Sequence, residues 1–317
     1  METMSYITML INRHRVILFL KGMAMGAADS VPGVSGGTVA LITNIYEELL
    51  DAIKSISWHV LLVWKKEGIA AAWQSINGNF LLTLLLGILS SLLILGRLVL
   101  ALMENYLPYL LAFFAGLVLA SIYFVGKQIS KWNMATALLL LAGMGLAIGL
   151  AILPQVQPSD SLLYYFFSGA IAICAMILPG ISGAFILVLL GVYGAVLEAL
   201  TGFNWLVIAV FGSGCACGLM AFSRLLSWLL HQHHNLTLSA LTGLLVGSLY
   251  LLWPWRVATE LELDSHAFTQ YQHVSPDQFL ILSGTAFPPW VCLCLVVCGA
   301  GLVLLLEFLA GNKQLLK

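Results

Sequence analysis

Charge is what this chain has least of. Lys, Arg, Asp and Glu make up 9% of its 317 residues, against about 25% in a soluble domain. With 61% of residues apolar and a mean hydropathy of +1.00, no soluble fold could hide the apolar surface, so lipid must be the solvent. The net charge of −1 favours no polyanion, and no basic tract with interleaved aromatics is present, which sets nucleic acid aside as a partner. No nucleotide-binding motif appears, so ATP-driven transport would need a second protein. The C-x-x-C spacing is missing too. All six cysteines (Cys174, Cys215, Cys217, Cys292, Cys294 and Cys298) lie in apolar runs rather than polar loops, and read as small, soft packing residues. No metal or cofactor is expected.

The N-terminal stretch "RHRVILFLKGMAMGAAD" imitates a secretory signal, with a basic start, an apolar run and then small residues. Lys21 interrupts the apolar run, and the segment has a partner later in the chain. It is read as part of the mature structure.

That partner is a repeat. "VPGVSGGTVALITNIYEELLDAI" (31–53) lies without a gap on "LPGISGAFILVLLGVYGAVLEAL" (178–200). Pro32 meets Pro179, Gly33 meets Gly180, Ser35 meets Ser182, Gly36 meets Gly183, Tyr46 meets Tyr193, and Asp51 meets Glu198. Upstream, Phe19 and Gly22 fall on Phe166 and Gly169. Downstream the match resumes at a shorter offset: Gly87 on Gly214, Arg97 on Arg224, Gly116 on Gly243, Ser121 on Ser248 and Tyr123 on Tyr250. The segment "SWHVLLVWKKEGIAAAWQSIN" accounts for the shortening, since the second copy lacks it. The chain is thus divided into two copies of one unit, 1–156 and 157–317.

Apolar runs of about 20 residues, enough to span a bilayer, cover 79–101, 107–126, 134–153, 205–230, 236–254 and 288–310. Two more segments, 15–53 and 161–200, are apolar but broken by Pro-Gly-x-Ser-Gly. Each half is one broken helical hairpin, re-entrant or crossing twice, followed by three spans. An odd number of crossings per half turns the second copy upside down relative to the first. The expected fold is an all-α polytopic membrane protein of two inverted repeats. Basic residues agree with it. With the N-terminus (Arg13, Arg15) in the cytoplasm, Lys54, Lys65, Lys66, Lys127, Lys131, Arg224, Lys313 and Lys317 fall inside. Glu104, Asp160, Glu260, Glu262, Asp264 and Asp277 fall outside, with Arg256 the exception. The segment 57–73 reads as an amphipathic piece on the inner surface, its tryptophans at headgroup depth.

Interrupted helices in inverted repeats mark transporters, whose freed backbone groups line the substrate site. New helices should start near residues 36 and 183. Helix N-termini offer unpaired N–H groups and partial positive charge, and Ser35, Thr38 and Ser182 add hydroxyls. Together with Gly36, Gly37 and Gly183 this suits a phosphate or carboxylate; the same motif also suits a tight hairpin turn with small residues for close packing. Arg97 and Arg224, matched charges within apolar spans, fit bidentate phosphate binding or headgroup snorkelling. Lys21 and Asp29 flank the first break, where Asp29 could pair Lys21, cap the following turn or carry a proton. Asp51 and Glu198, a matched acidic pair at the hairpin ends, read either as interfacial residues, together with Glu47 and Glu48, or as further candidate coupling carboxylates for H+ or Na+. The "HQHH" run (His231, His233 and His234) has the chemistry of metal ligands, but in an inner loop it is read as solvated.

"GAADSVPGVSGGTVA" with "ILPGISGAFILVLLGVY" resembles the bacterial and archaeal family of polyprenyl-phosphate transporters, formerly a membrane domain of unknown function. The resemblance covers nearly the whole chain. It implies translocation of undecaprenyl phosphate across the bacterial cytoplasmic membrane, from the outer to the inner leaflet, where the carrier is reused for envelope polymers. Carried over by motif, the functional positions are Asp29, Pro32, Gly33, Ser35, Gly36 and Gly37, with Pro179, Gly180, Ser182 and Gly183. Ala184 and Phe185 stand where Gly37 and Thr38 stand in the first copy, so the two cradles are not equivalent. The competing reading is a small-anion channel or exchanger. An enzyme such as a lipid phosphatase is disfavoured, because no histidine lies near either break to serve a nucleophile. A structural or assembly protein would not need two interrupted helices.

Overall fold

The computed structural model describes residues 2–31, 34–157, 159, 161–263 and 266–311; for 2–14, 258–263, 266–271, 306 and 308–311 only the backbone is described. Pro32, Gly33, Asp160, Asp264, Lys313 and Lys317 therefore lie outside the described residues. The chain is a helical membrane protein. Its first broken segment is α1 (Glu2–Asp29), α2 (Gly36–Ile42) and α3 (Tyr46–Ser55). Two short helices follow, α4 (Trp58–Glu67) and α5 (Ile69–Ser75), then α6 (Gly78–Gln128) and α7 (Met134–Ile152). The second broken segment is α8 (Leu162–Ile177), α9 (Gly183–Leu189) and α10 (Tyr193–Thr201), followed by α11 (Trp205–Gln232) and α12 (His234–Ser248). A hairpin of β1 (Arg256–Leu263) and β2 (His266–His273), then α13 (Pro276–Ser283) and α14 (Pro289–Gly311), complete the chain.

At 1.5 Å per residue, α6 would be about 75 Å long, more than twice the ~30 Å of hydrocarbon in a bilayer. It is in fact two helices. Tyr106 has non-helical angles (φ −138, ψ 32), and Pro108 follows it. A proline donates no N–H and its ring presses on the carbonyl four residues back. The expected spans 79–101 and 107–126 lie on either side of this kink. Among the described residues α6, α7 and α11 are long and apolar enough to cross a membrane; α9 and α10 would together make a fourth span but are bent by 107°. The outer faces are apolar, with Leu93 80% exposed, as a lipid-facing surface requires.

The segment 57–73 forms two helices, because Gly68 sits at φ 88 between α4 and α5, a conformation that side chains with a Cβ avoid. Two expectations need correction. The run 236–254 is helical only to Ser248. Beyond it the chain tightens into bonds from Tyr250, Leu251 and Leu252 N–H to carbonyls three residues back, then reaches Pro254. The all-α expectation also misses an antiparallel hairpin, paired from Arg256 with His273 to Leu263 with His266. The alternation in "RVATELEL" is its signal, since a half-exposed strand has period two.

Close packing repeats residue for residue. A Cβ on Gly87 would run into the Phe19 carbonyl oxygen, and one on Gly214 into the Phe166 carbonyl oxygen. So α1 packs on the first part of α6 as α8 packs on α11, at matched positions. The third helices are exchanged. Gly143 of α7 lies against the Ala240 carbonyl of α12, and Gly299 of α14 against the Phe113 carbonyl of α6. Small residues let helices approach this closely in lipid, where no hydrophobic effect drives them together. Even the turn after the short helix matches: Asn44 (φ 56) and Gly191 (φ 70) both take the left-handed conformation that these residue types tolerate.

Candidate functional site

Both post-break helices start where the sequence places them, α2 at Gly36 and α9 at Gly183, each capped by its serine. Ser35 accepts from the Gly37 N–H at 3.1 Å, and Ser182 from the Phe185 N–H at a longer 3.5 Å. Gly180 takes φ 84, which glycine alone adopts without strain. Of the break motif, Pro179 and Gly180 are among the described residues, whereas Pro32 and Gly33 lie outside them.

The two breaks meet in the core. The Ser35 hydroxyl donates to the Met176 carbonyl (3.0 Å), and the Tyr46 hydroxyl donates to the Ile177 carbonyl (3.1 Å). The Gly180 N–H donates to Thr38 Oγ1 (3.0 Å). Ser35, Thr38 and Tyr46 are buried, at 0%, 0% and 2% exposure. Met176 and Ile177 end α8, so their carbonyls have lost the helical partners that the break removed. Side chains of the first copy replace those partners. Gly37 lies so close to the Ile177 oxygen that a Cβ could not fit.

The N-terminus of α2 is already occupied. Asp29 Oδ1 accepts from the Gly36 N–H at 2.6 Å, the Ser35 side chain takes Gly37 N–H, and the Ser35 carbonyl takes Thr38 N–H at 2.9 Å. This bond makes Asp29 a cap of the following turn, one of the three roles open to it. A resident carboxylate thus sits on the donors assigned to a phosphate. Lys21 reaches the other end of the same helix, donating to the Thr43 carbonyl at 2.5 Å. A cation there complements the negative end of a helix. In the second copy the equivalent carbonyl, that of Leu190, is taken by the Tyr164 hydroxyl at 2.8 Å.

The arginines are not gathered at the breaks. Arg224 donates to its own helix at Met220 O (3.0 Å) and to the Ile56 carbonyl at the far end of α3 (3.3 Å). Arg97 is exposed. Asp51 also lies at the α3 to α11 contact: Ser227 donates to it at 2.7 Å, and His231 stands 3.8 Å away. Lys54 donates to the same serine at 3.1 Å. Glu198, its counterpart, is exposed. The histidine run is more than solvated, since His231 faces Asp51 and His234 stands 3.6 Å from Glu47. Among the described residues no group of three His, Cys, Asp or Glu could hold a metal.

A polytopic helical membrane protein whose two helix breaks meet in its core has the architecture of a carrier rather than of an enzyme. Comparison with known proteins narrows the class. The family described as undecaprenyl phosphate translocase-like matches residues 25–270, and the chain belongs to that family. A polyprenyl-phosphate transporter of Vibrio cholerae serotype O1 is 41% identical over 292 residues, covering 91% of this chain and 95% of that protein. A polyprenyl-phosphate transporter of Staphylococcus aureus is 31% identical over 257 residues, covering 75% of this chain and 86% of that protein. No solved structure matches.

Proposed function

We propose that this protein returns undecaprenyl phosphate from the outer to the inner leaflet of the bacterial cytoplasmic membrane, for reuse in envelope polymer synthesis. The family and the names of both relatives support the lipid phosphate as substrate. Its two halves, 1–156 and 157–317, are inverted in the membrane, with both termini cytoplasmic. The observation that carries the reading is the meeting of the two breaks through Ser35, Thr38 and Tyr46. A phosphate cannot cross hydrocarbon unaided. When the breaks part, the hydroxyls of Ser35, Thr38 and Ser182 and the backbone at Gly36, Gly37 and Gly183 become its replacement for water, while the isoprenoid tail stays in lipid.

Asp29 is the coupling carboxylate in this scheme. It holds the Gly36 N–H that a headgroup would take, so the headgroup must displace it. Binding of H+ or Na+ to Asp29 weakens its hold and links the two movements. Asp51 and Glu198 lie away from the breaks and are left out. The test is full-length protein in liposomes with labelled undecaprenyl phosphate in one leaflet. Movement well above empty liposomes is expected, with the response to an imposed pH or Na+ gradient lost in Asp29→Asn. No movement, together with chloride or inorganic phosphate flux, would replace the lipid carrier with an anion pathway.

A further inference from the structure

The two copies contribute unequally to the contact between the breaks. Among the described residues, the side chains that close it come from the first copy: Ser35, Thr38 and Tyr46, with Gly37 against the Ile177 oxygen. In the second copy Ser182 caps only its own helix, and Tyr193 is 41% exposed. Phe185 and Ala184 stand in place of Thr38 and Gly37. The same one-sidedness recurs beyond α3, where Arg224 holds the Ile56 carbonyl and its match Arg97 is exposed.

Two inverted copies of one unit can adopt a second arrangement in which each takes the other's conformation, and this exchange reverses the side to which a carrier opens. Matching the residues gives the contacts of that second arrangement. The Ser182 hydroxyl reaches the Asp29 carbonyl, the Tyr193 hydroxyl the Ser30 carbonyl, and Arg97 the Phe203 carbonyl. Two contacts have no counterpart. Phe185 has no hydroxyl to replace that of Thr38, and the Cβ of Ala184 would press on the Ser30 oxygen, where Gly37 has no atom to clash. Were the copies identical, the two arrangements would be equal in energy. Ala184 and Phe185 split them.

We infer that Ala184 and Phe185 set the resting state of the carrier. The latch closed by Ser35, Thr38 and Tyr46 is the ground state. Its mirror, closed by Ser182, Tyr193 and Arg97, is a looser state visited in each cycle. The inference rests on the inverted-repeat reading above but not on the identity of the lipid.

The test is cysteine cross-linking of the full-length protein in liposomes, with the linked peptides identified by mass spectrometry so that the native thiols are not confused with the engineered ones. Asp51→Cys with Ser227→Cys, whose native side chains are hydrogen-bonded at 2.7 Å, reports the resting latch, and the matched Glu198→Cys with Leu100→Cys reports the mirror; neither pair removes a hydroxyl that closes either state. The resting pair should link several-fold more than the mirror pair. Adding Ala184→Gly and Phe185→Thr should reverse or level that ratio. An unchanged ratio, or a mirror pair that never links in protein that transports normally, overturns the inference. If the pairs exchange but no undecaprenyl phosphate moves, the latch stands and the substrate reading falls. Should the cysteine pairs fail to fold, hydrogen exchange of residues 35–46 serves instead: it must quicken at least several-fold in the Ala184→Gly, Phe185→Thr variant alone, and exchange left unchanged overturns the inference.

Discussion

The first broken segment and the second share a sequence pattern, a cap and a turn, yet one is encased and the other stands outside. All seven residues of α2 are buried, whereas α9 buries only Ile186 and Leu189 and α10 only Ala199. α2 touches α1, α6 and α8, and α3 lies along α11. The difference comes from few residues. Gly37 and Thr38 let α2 settle onto the end of α8, and α3 follows with Tyr46. Ala184 and Phe185 present bulk where that approach needs space and a hydroxyl. Near-identical local chemistry therefore specifies the helix starts, and two side chains decide which segment is packed in.

The comparison breaks most sharply at Gly37. A methyl there meets backbone rather than a movable side chain, so Gly37→Ala should cost about 3 kcal/mol or more, beyond the 1–3 typical of overpacking. Ala184→Gly, on an exposed helical position, should cost no more than about 1 kcal/mol. Thermal unfolding of the two variants in the same detergent checks the contrast, and equal shifts would remove the packing difference drawn between the segments.

A smaller effect separates the matched tyrosines. Tyr46→Phe leaves the buried Ile177 carbonyl without its donor, a loss of about 1–3 kcal/mol. Tyr193→Phe removes a hydroxyl from an exposed ring and should change stability by less than about 0.5 kcal/mol, as surface substitutions do. Its effect belongs to transport, which should slow if Tyr193 is needed for the mirror state. Normal transport by Tyr193→Phe, with Tyr46→Phe equally harmless to stability, would make both residues packing alone.

What the sequence made legible follows from which atoms carry identity. Pro-Gly-x-Ser-Gly announces a break and the next helix start because proline, glycine and a capping serine act locally, and α2 and α9 begin at Gly36 and Gly183 accordingly. Long apolar runs announced the helices α6, α7 and α11, with Tyr106 and Pro108 dividing α6. The partners of Ser35 and Tyr46 were not legible, because they are carbonyls, and every residue has one. Arg97 and Arg224 read as a matched pair, but matched positions in sequence do not give matched contacts: Arg224 reaches the Ile56 carbonyl and Arg97 is exposed. The hairpin of β1 and β2 is hard to see in the sequence although "RVATELEL" alternates, since the segment is short, lies between long apolar runs and stands out by its acidic residues. His231 and His234 read as solvated because their acidic partners, Asp51 and Glu47, are distant in sequence.

The smallest expected effect tests whether the α3 to α11 contact helps hold the first segment in place. Asp51 binds Ser227 and faces His231, and the pair is about half exposed, with side chains at 46% and 54%. Exposed ion pairs contribute about 0–1 kcal/mol and are screened by salt. Asp51→Asn should therefore lower stability by no more than about 1 kcal/mol, and less at high ionic strength. Glu198→Gln, at the matched exposed position, should do nothing measurable. Unfolding of both variants at low and high salt supplies the check. A salt-dependent loss confined to Asp51→Asn would make the contact a weak clamp on the packed segment. A loss well above the exposed-pair range would mean that α3 is held at its outer end as firmly as at Tyr46, and the latch would then have two anchors.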